Sequence, residues 1–403
     1  MSNIVDRFMK YISIDTQSDE DSTTSPSTYK QFRLARLLAE EMTDMGVSDV
    51  RLDDRNCYVY GTIPSNMDKD VPALGFIAHM DTAPRTPGDA SSARIHKNYD
   101  GGVVKLNDTV ELDPAIYPEL KNYVGCDLIV TDGVSLLGGD DKGGIAEIMT
   151  MAETLINDPS IPHGKIGIAF TRDEEIGKGT EFFDVEGFGM DYAYTVDGGP
   201  IGELEYECFN AAEARIYFKG RDIHPGYAFN IMVNAVRIAA ELDGMLPHSQ
   251  RPEYTSDYEG FFHMTWMEGT SAEAESRYII RDHNPIAFEE KKMVLQKCVD
   301  FLNGKYGDVI TLEIREQYRN MKELIEPHMF LIDNAKAAFR ACGVEPIIQP
   351  IRGGTDGADL TFKGLPCPNL STGGMNFHSN TEYMPVQSME KMAEVLIELA
   401  RVR

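Results

Sequence analysis

The chain has 403 residues, 42% hydrophobic and 26% charged, so it is longer than one comfortable core and ordinary in composition for a globular protein. Its formal net charge of −27 opposes phosphate-rich partners, which excludes nucleic acid and anionic membrane surfaces as expected ligands. No apolar run is long enough for a membrane-spanning helix, and the opening MSNIVDRFMKYISIDTQSDEDS carries charges where a secretory signal would be apolar, so a cytoplasmic location is expected.

In chain order, SDEDSTTSPSTY (Ser18 to Tyr29) is polar and turn-rich and predicts a loop leading into a helix. ALGFIAH (Ala73 to His79) predicts a buried strand. RTPGDASSARIHKNYDGG predicts an exposed loop bearing His96 and Tyr99. Beyond GGDDKGG (Gly138 to Gly144), Ile145, Ile148, Met149, Ala152, Leu155 and Ile156 recur at helical spacing; a helix is expected from about Lys142, with Asp140 in the turn before it. His163 reads as a surface residue. KIGIAF (Lys165 to Phe170) and AYTV (Ala193 to Val196) predict two further strands. Short apolar runs alternating with helical patterns predict an α/β fold with a mixed, mostly parallel sheet flanked by helices.

From about residue 210 to 317 the pattern changes. AAEARIYFKG predicts a strand, NIMVNAVRIAAEL a helix, FFHMTWMEGT and AESRYIIRDHN two strands, FEEKKMVLQKCVDFLNGKYG a helix and DVITLEIREQY a last strand. That order predicts a separate α+β sandwich at 210–317, inserted into a first domain made of 1–209 and 318–403. Cys57, Cys126, Cys208, Cys298, Cys342 and Cys367 form no C-x-x-C pair and read as buried, reduced thiols.

Five segments carry chemistry: AHMDTAP, GGDDKGG, TRDEEIGKGT, TVDGGP and GGMNFHSN. None is diagnostic alone. Zinc takes imidazole nitrogen and carboxylate oxygen, and three carboxylates with a bridging hydroxide would neutralise two such ions. His79, Asp140, Glu175, Asp197 and His378 supply that donor set. Two acids are left over. Asp81, two residues from His79, is placed to orient the imidazole, and Glu174, beside a ligand, is the natural general base for an activated water. Three strands end at or just before such residues, where open α/β sheets gather their sites.

The order and wording of these segments resemble the peptidase T family, tripeptide aminopeptidases of a two-zinc aminopeptidase and carboxypeptidase clan. The likeness also takes in FMKYISIDTQS, KIGIAFTRDEEIGKGTEFFDVEGF, YTVDGGPIGELEYECFNAAEA, HPGYAFNIMVNA, YIIRDHN and PIRGGTDGADLTFKGLPCPNL. The resemblance implies a zinc-peptidase-like catalytic domain with two Zn2+ ions per subunit and short peptides as substrate. It makes Asp140 the carboxylate shared by both ions, places His79 and Asp197 on one and Glu175 and His378 on the other, and gives a cis peptide at Asp140–Asp141. The insert becomes a lid, hinged near Asn210 and Gln317 and able to form a homodimer. On it the resemblance implies substrate contacts from His224, Asn234 and Arg281; Arg281 suits a terminal carboxylate. Arg352 in RGGTDGA is expected against substrate as well. An aspartate at position 197 goes with aminopeptidases in this clan, a glutamate with carboxypeptidases and deacylases. The chain departs from the family at Tyr227-Ala228-Phe229-Asn230 and in the residues after His378, which leaves peptide length and side-chain preference open. A carboxypeptidase or N-deacylase, and a noncatalytic metal or peptide binder, are the alternatives; Glu174 has no duty in a binder.

Overall fold

The computed structural model describes residues 2–84 and 86–402. Four strands run parallel at the centre of an eight-stranded sheet, in the order Ile166–Thr171, Leu74–His79, Tyr192–Gly198 and Asn369–Ser371. Ser48–Leu52 and Val59–Ile63 continue the sheet antiparallel on one side. Glu203–Glu205, antiparallel to Asn369–Ser371, and Ile347–Ile348 complete the other. Ile166–Thr171 is buried at every position and Leu74–His79 from Gly75 onward, which is why both read in the sequence as unbroken apolar runs. The fold is thus the mixed, mostly parallel α/β architecture expected.

The helix Gly139–Asn157 lies against Leu74–His79 and Tyr192–Gly198, and Ser2–Ile12 and Val386–Ala400 pack on it in turn. Asp140 and Asp141 have non-helical dihedrals, so regular helix starts at Lys142 and the site aspartate sits in the turn before it. A Cβ at Gly144 would fall 2.0 Å from the Val196 carbonyl oxygen, so this glycine lets the helix behind Asp140 touch the strand that carries Asp197. The Asp140–Asp141 peptide is cis.

The chain divides into two compact units, one of Met1–Tyr206, Glu323–Gln349 and Thr355–Arg403, the other of Glu207–Lys322 with Pro350–Gly354. The second is an antiparallel sheet in the order Phe261–Gly269, Glu273–Asp282, Asn210–Lys219, Ile310–Tyr318, with helices Ala235–Met245 and Pro285–Tyr306. Ala212, Ala214, Ile216 and Phe218, alternate residues of one strand, meet Ile238, Leu242, Leu295 and Leu302 of the helices in its core. The first of those helices starts later than its apolar pattern suggests, because the Asn234 side chain accepts the Arg237 N–H and caps it.

The unit boundaries also differ from the sequence expectation. The short segment Pro350–Gly354, expected in the first domain, goes with the second unit. The cause is local bonding: the Ile351 N–H donates to the Glu207 carbonyl, the Ile351 carbonyl lies 3.0 Å from His283 Nε2, and Arg352 is held within the same unit. His163 is not a surface residue but 2% exposed, its Nδ1 donating to the Gly164 carbonyl. Tyr99 is buried too, its hydroxyl on the Gly102 carbonyl. None of the six cysteines forms a disulfide; four are buried and Cys126 and Cys342 half-buried. Among the described residues no helix is long and apolar enough to cross a membrane.

Candidate metal centre

Register explains how distant residues meet. His79 ends its strand opposite Thr171, and Ile77 of the same strand faces Thr195, two residues before Asp197. Glu174 and Glu175 follow Thr171 in a single 3-10 turn entered through Asp173 at φ 54°. The carboxyl ends of three parallel strands therefore converge where the turn before Lys142 delivers Asp140.

The two imidazoles share one carboxylate. His79 Nε2 lies 2.7 Å from Asp140 Oδ1 and 3.3 Å from Asp197 Oδ1. His378 Nε2 lies 3.0 Å from Asp140 Oδ2 and 2.9 Å from Glu175 Oε2. His79 Nδ1 is 3.0 Å from the Asp81 carbonyl oxygen; a carbonyl can only accept, so Nδ1 carries a proton, and Nε2 is the nitrogen turned to the acids, donating to them when protonated and able to ligate a cation when not. Asp81, fully buried, accepts the N–H of Glu174 at 2.9 Å and of Glu175 at 3.3 Å. It fixes the strand end to the acidic turn.

Charge shows what such a site attracts. Burial pushes the carboxyls of Asp197 up to about 6 and Glu175 up to about 7, and burial, reinforced by Asp197, pushes Glu174 well above the usual range. Hydrogen bonds to Asp140 and Glu175 raise His378 to about 11. His79 rises despite its burial, because Asp197 and Asp140 face it. With the chain alone, protons on the imidazoles supply the positive charge the acids demand. Divalent cations would supply the same charge through the same atoms, and the nitrogen and oxygen donors suit zinc or a comparable first-row ion.

Among the described residues, two groups of side chains are close enough to hold a metal ion, His79–Asp140–Glu175 and His79–Asp141–Asp197. Asp141 is the weaker donor, since its oxygens already accept the backbone N–H groups of His79 and Gly144. Solvent reaches the cluster most freely at His378, whose side chain is 56% exposed against 2% for His79.

Two supports of this cluster were missed in the sequence. Asp173 accepts the Ser27 N–H at 2.7 Å, Gln31 Nε2 at 2.6 Å and Arg172 at 2.8 Å, pinning the turn that carries Glu174 to the polar N-terminal loop. Glu382 accepts three N–H groups of the segment that leads to Asp140. Glu382 stands four residues past His378, in a stretch that read only as a departure from the family; a lone acid between Thr and Tyr gives no signal of burial.

The four residues expected near substrate all belong to the second unit, and each is engaged separately there. His224 Nδ1 accepts the Gly226 N–H at 3.1 Å, which leaves Nε2 available. Asn234 spends its oxygen on the helix cap. Arg281 donates to the Ala212 and Ile280 carbonyls and to Gln317, beside the Tyr318 ring. Arg352 donates to the Asp257 and Glu259 carbonyls and to Thr255, and lies 5.1 Å over Phe209. Its fork is therefore largely committed to folding its own unit.

A parallel-centred α/β sheet that brings two imidazoles and several acids around one aspartate has the parts of a metal-dependent hydrolase. The chain belongs to the family described as Peptidase family M20/M25/M40, which matches residues 136–402. It is 54% identical over 404 residues to a protein named Peptidase T from Alkaliphilus oremlandii (strain OhILAs), covering 99% of this chain and 98% of that one. A Peptidase T from Parabacteroides distasonis is 51% identical over 398 residues, covering 98% of each. Among solved structures, an aminopeptidase PepT from Bacillus cereus superposes with a TM-score of 0.78 at 23% identity, covering 99% of this chain and 97% of that one. A Bacillus subtilis protein described as a dinuclear metal binding peptidase from the M20 family superposes with a TM-score of 0.67 at 13% identity, over 99% of this chain and 97% of that one.

Proposed function

We propose that the chain is a metal-dependent aminopeptidase that removes the N-terminal residue from short peptides, tripeptides foremost, with two zinc ions held by His79, Asp140, Glu175, Asp197 and His378. The observation that carries this reading is Asp140, whose two oxygens each face a different imidazole. The name shared by relatives at about half identity supports the substrate class. Six cysteines without a disulfide among them suit a reducing, cytoplasmic compartment.

When bound, a zinc pair supplies Lewis acidity to the scissile carbonyl and lowers the pKa of water toward neutrality. Glu174, outside the ligand set and raised in proton affinity by burial, takes the proton of the attacking water and returns it to the leaving amine. The Asp81 carbonyl oxygen holds the ring of His79 and its carboxylate, through two N–H groups, the turn bearing Glu174, so base and ligand keep one spacing. On the second unit, His224 with its available Nε2 is assigned to the developing oxyanion, Arg281 to the terminal carboxylate, and Asn234 to the peptide through its remaining amide N–H groups.

The decisive assay compares a tripeptide bearing a free amine with its N-acetylated form, with and without a chelator. Cleavage of the first alone, abolished by chelation and restored by zinc, is expected. Equal hydrolysis of both would replace this reading by a carboxypeptidase or deacylase.

A further inference from the structure

Glu382 is 1% exposed and sits at the root of the loop that carries His378. Met375 and Tyr383 close that loop, the Met375 N–H donating to the Tyr383 carbonyl at 3.0 Å and the Tyr383 N–H to the Met375 carbonyl at 3.1 Å. Tyr383 then enters the strand Tyr383–Pro385, paired antiparallel with Leu128–Val130. The Glu382 backbone is thus anchored in a sheet, next to the closing pair. Its side chain reaches the other ligand segment. Oε2 accepts the N–H groups of Leu137 at 2.8 Å and Gly138 at 3.0 Å, and Oε1 accepts that of Asp140 at 3.2 Å. A Cβ at Gly139 would fall 2.9 Å from Oε1, so the glycine between these donors leaves the carboxylate its place.

We infer that Glu382 is a positioning residue for the metal pair: one buried carboxylate ties the turn presenting the shared ligand Asp140 to the loop presenting His378. Three donors on two oxygens require an acceptor at both ends of the side chain. A glutamine of the same shape would turn an NH2 group against at least one backbone N–H, leaving a buried donor unmet. The tie thus supports, at its base, the 3.0 Å spacing between Asp140 and His378.

The inference rests on the metal reading of the site and predicts metal affinity directly, without reference to peptide hydrolysis. The experiment is a competition titration of zinc against a colorimetric chelator, with the cobalt(II) absorption spectrum as a second readout, on the parent, Glu382→Gln, Glu382→Asp and Tyr383→Phe. The parent is expected to take up two ions. Glu382→Gln should bind at least one of them about 10- to 100-fold more weakly and show an altered cobalt spectrum. Glu382→Asp keeps the charge but is one methylene too short, and should weaken binding as well. Tyr383→Phe, which removes a buried hydroxyl with no partner, should match the parent and controls for disturbance of this strand. Folded Gln or Asp variants that bind both ions within twofold of the parent and share its spectrum would overturn the inference. A parent that took up no ion would overturn the site reading itself.

Discussion

The two units hold their chemistry in opposite ways. In the first, seven residues from five segments meet in one cluster, and each is bonded to another member or to the backbone beside it. In the second, His224, Asn234, Arg281 and Arg352 each bond to their own surroundings, a turn, a helix start, a strand end and a loop. Metal ligands must be convergent before the ion arrives, because buried acids cannot wait unpaired in a low dielectric. The residues proposed to address a substrate are instead each fixed separately within their own unit.

Substitutions can break this contrast. The largest effect is expected from Asp140→Asn, which removes the charge both imidazoles face; zinc uptake and turnover should both fall below detection, and retention of two ions would refute the shared-ligand assignment. Glu174→Ala should keep both ions yet lose about 10²- to 10⁴-fold in kcat. Near-normal turnover with the metals in place would remove Glu174 as base. His224→Ala should leave metal affinity untouched and lower kcat by roughly 10²-fold, the cost of one oxyanion donor. A change in zinc affinity there would erase the division between the units.

The smallest effect asks whether acid burial in the first unit extends past the cluster. Glu205 accepts Asn369 Nδ2 at 2.8 Å, and burial, then the neighbouring Glu203, raises its carboxyl from 4.5 to about 8. The folded state therefore holds this proton more tightly than the unfolded chain; the resulting stability is full below 4.5 and is lost as pH rises through about 8. Thermal unfolding of the metal-free protein should fall across that window by on the order of a few kcal/mol, and Glu205→Gln should flatten the fall. An unchanged slope would confine the effect to the cluster.

The central strands and the five chemical segments were legible in the sequence, because a strand buried on both faces must be apolar throughout and ligand residues are punctuated by glycine. Leu74–His79 and Ile166–Thr171 lie within a residue of their apolar runs. The α+β order of the second unit was legible too, since alternate apolar residues such as Ala212 to Phe218 mark a one-sided sheet. What stayed hidden depends on partners far along the chain. Glu382 and Asp173 look like surface acids until the backbone N–H groups they receive are known, and Arg352 looks like a substrate clamp until Asp257 and Glu259 claim its fork. His163 and Tyr99 sit in polar stretches whose composition hides that their rings turn inward.

Gly144 sets a tolerance for the whole cluster. Its bare Cα rests against the Val196 carbonyl one residue before Asp197. The gap between two acids from separate segments is consequently gauged by main chain meeting main chain, with the Asp141 carboxylate filling the space beside it. No rotamer change elsewhere could reset it, so even alanine at this point would act as a shim, prising the acids apart from behind while touching neither.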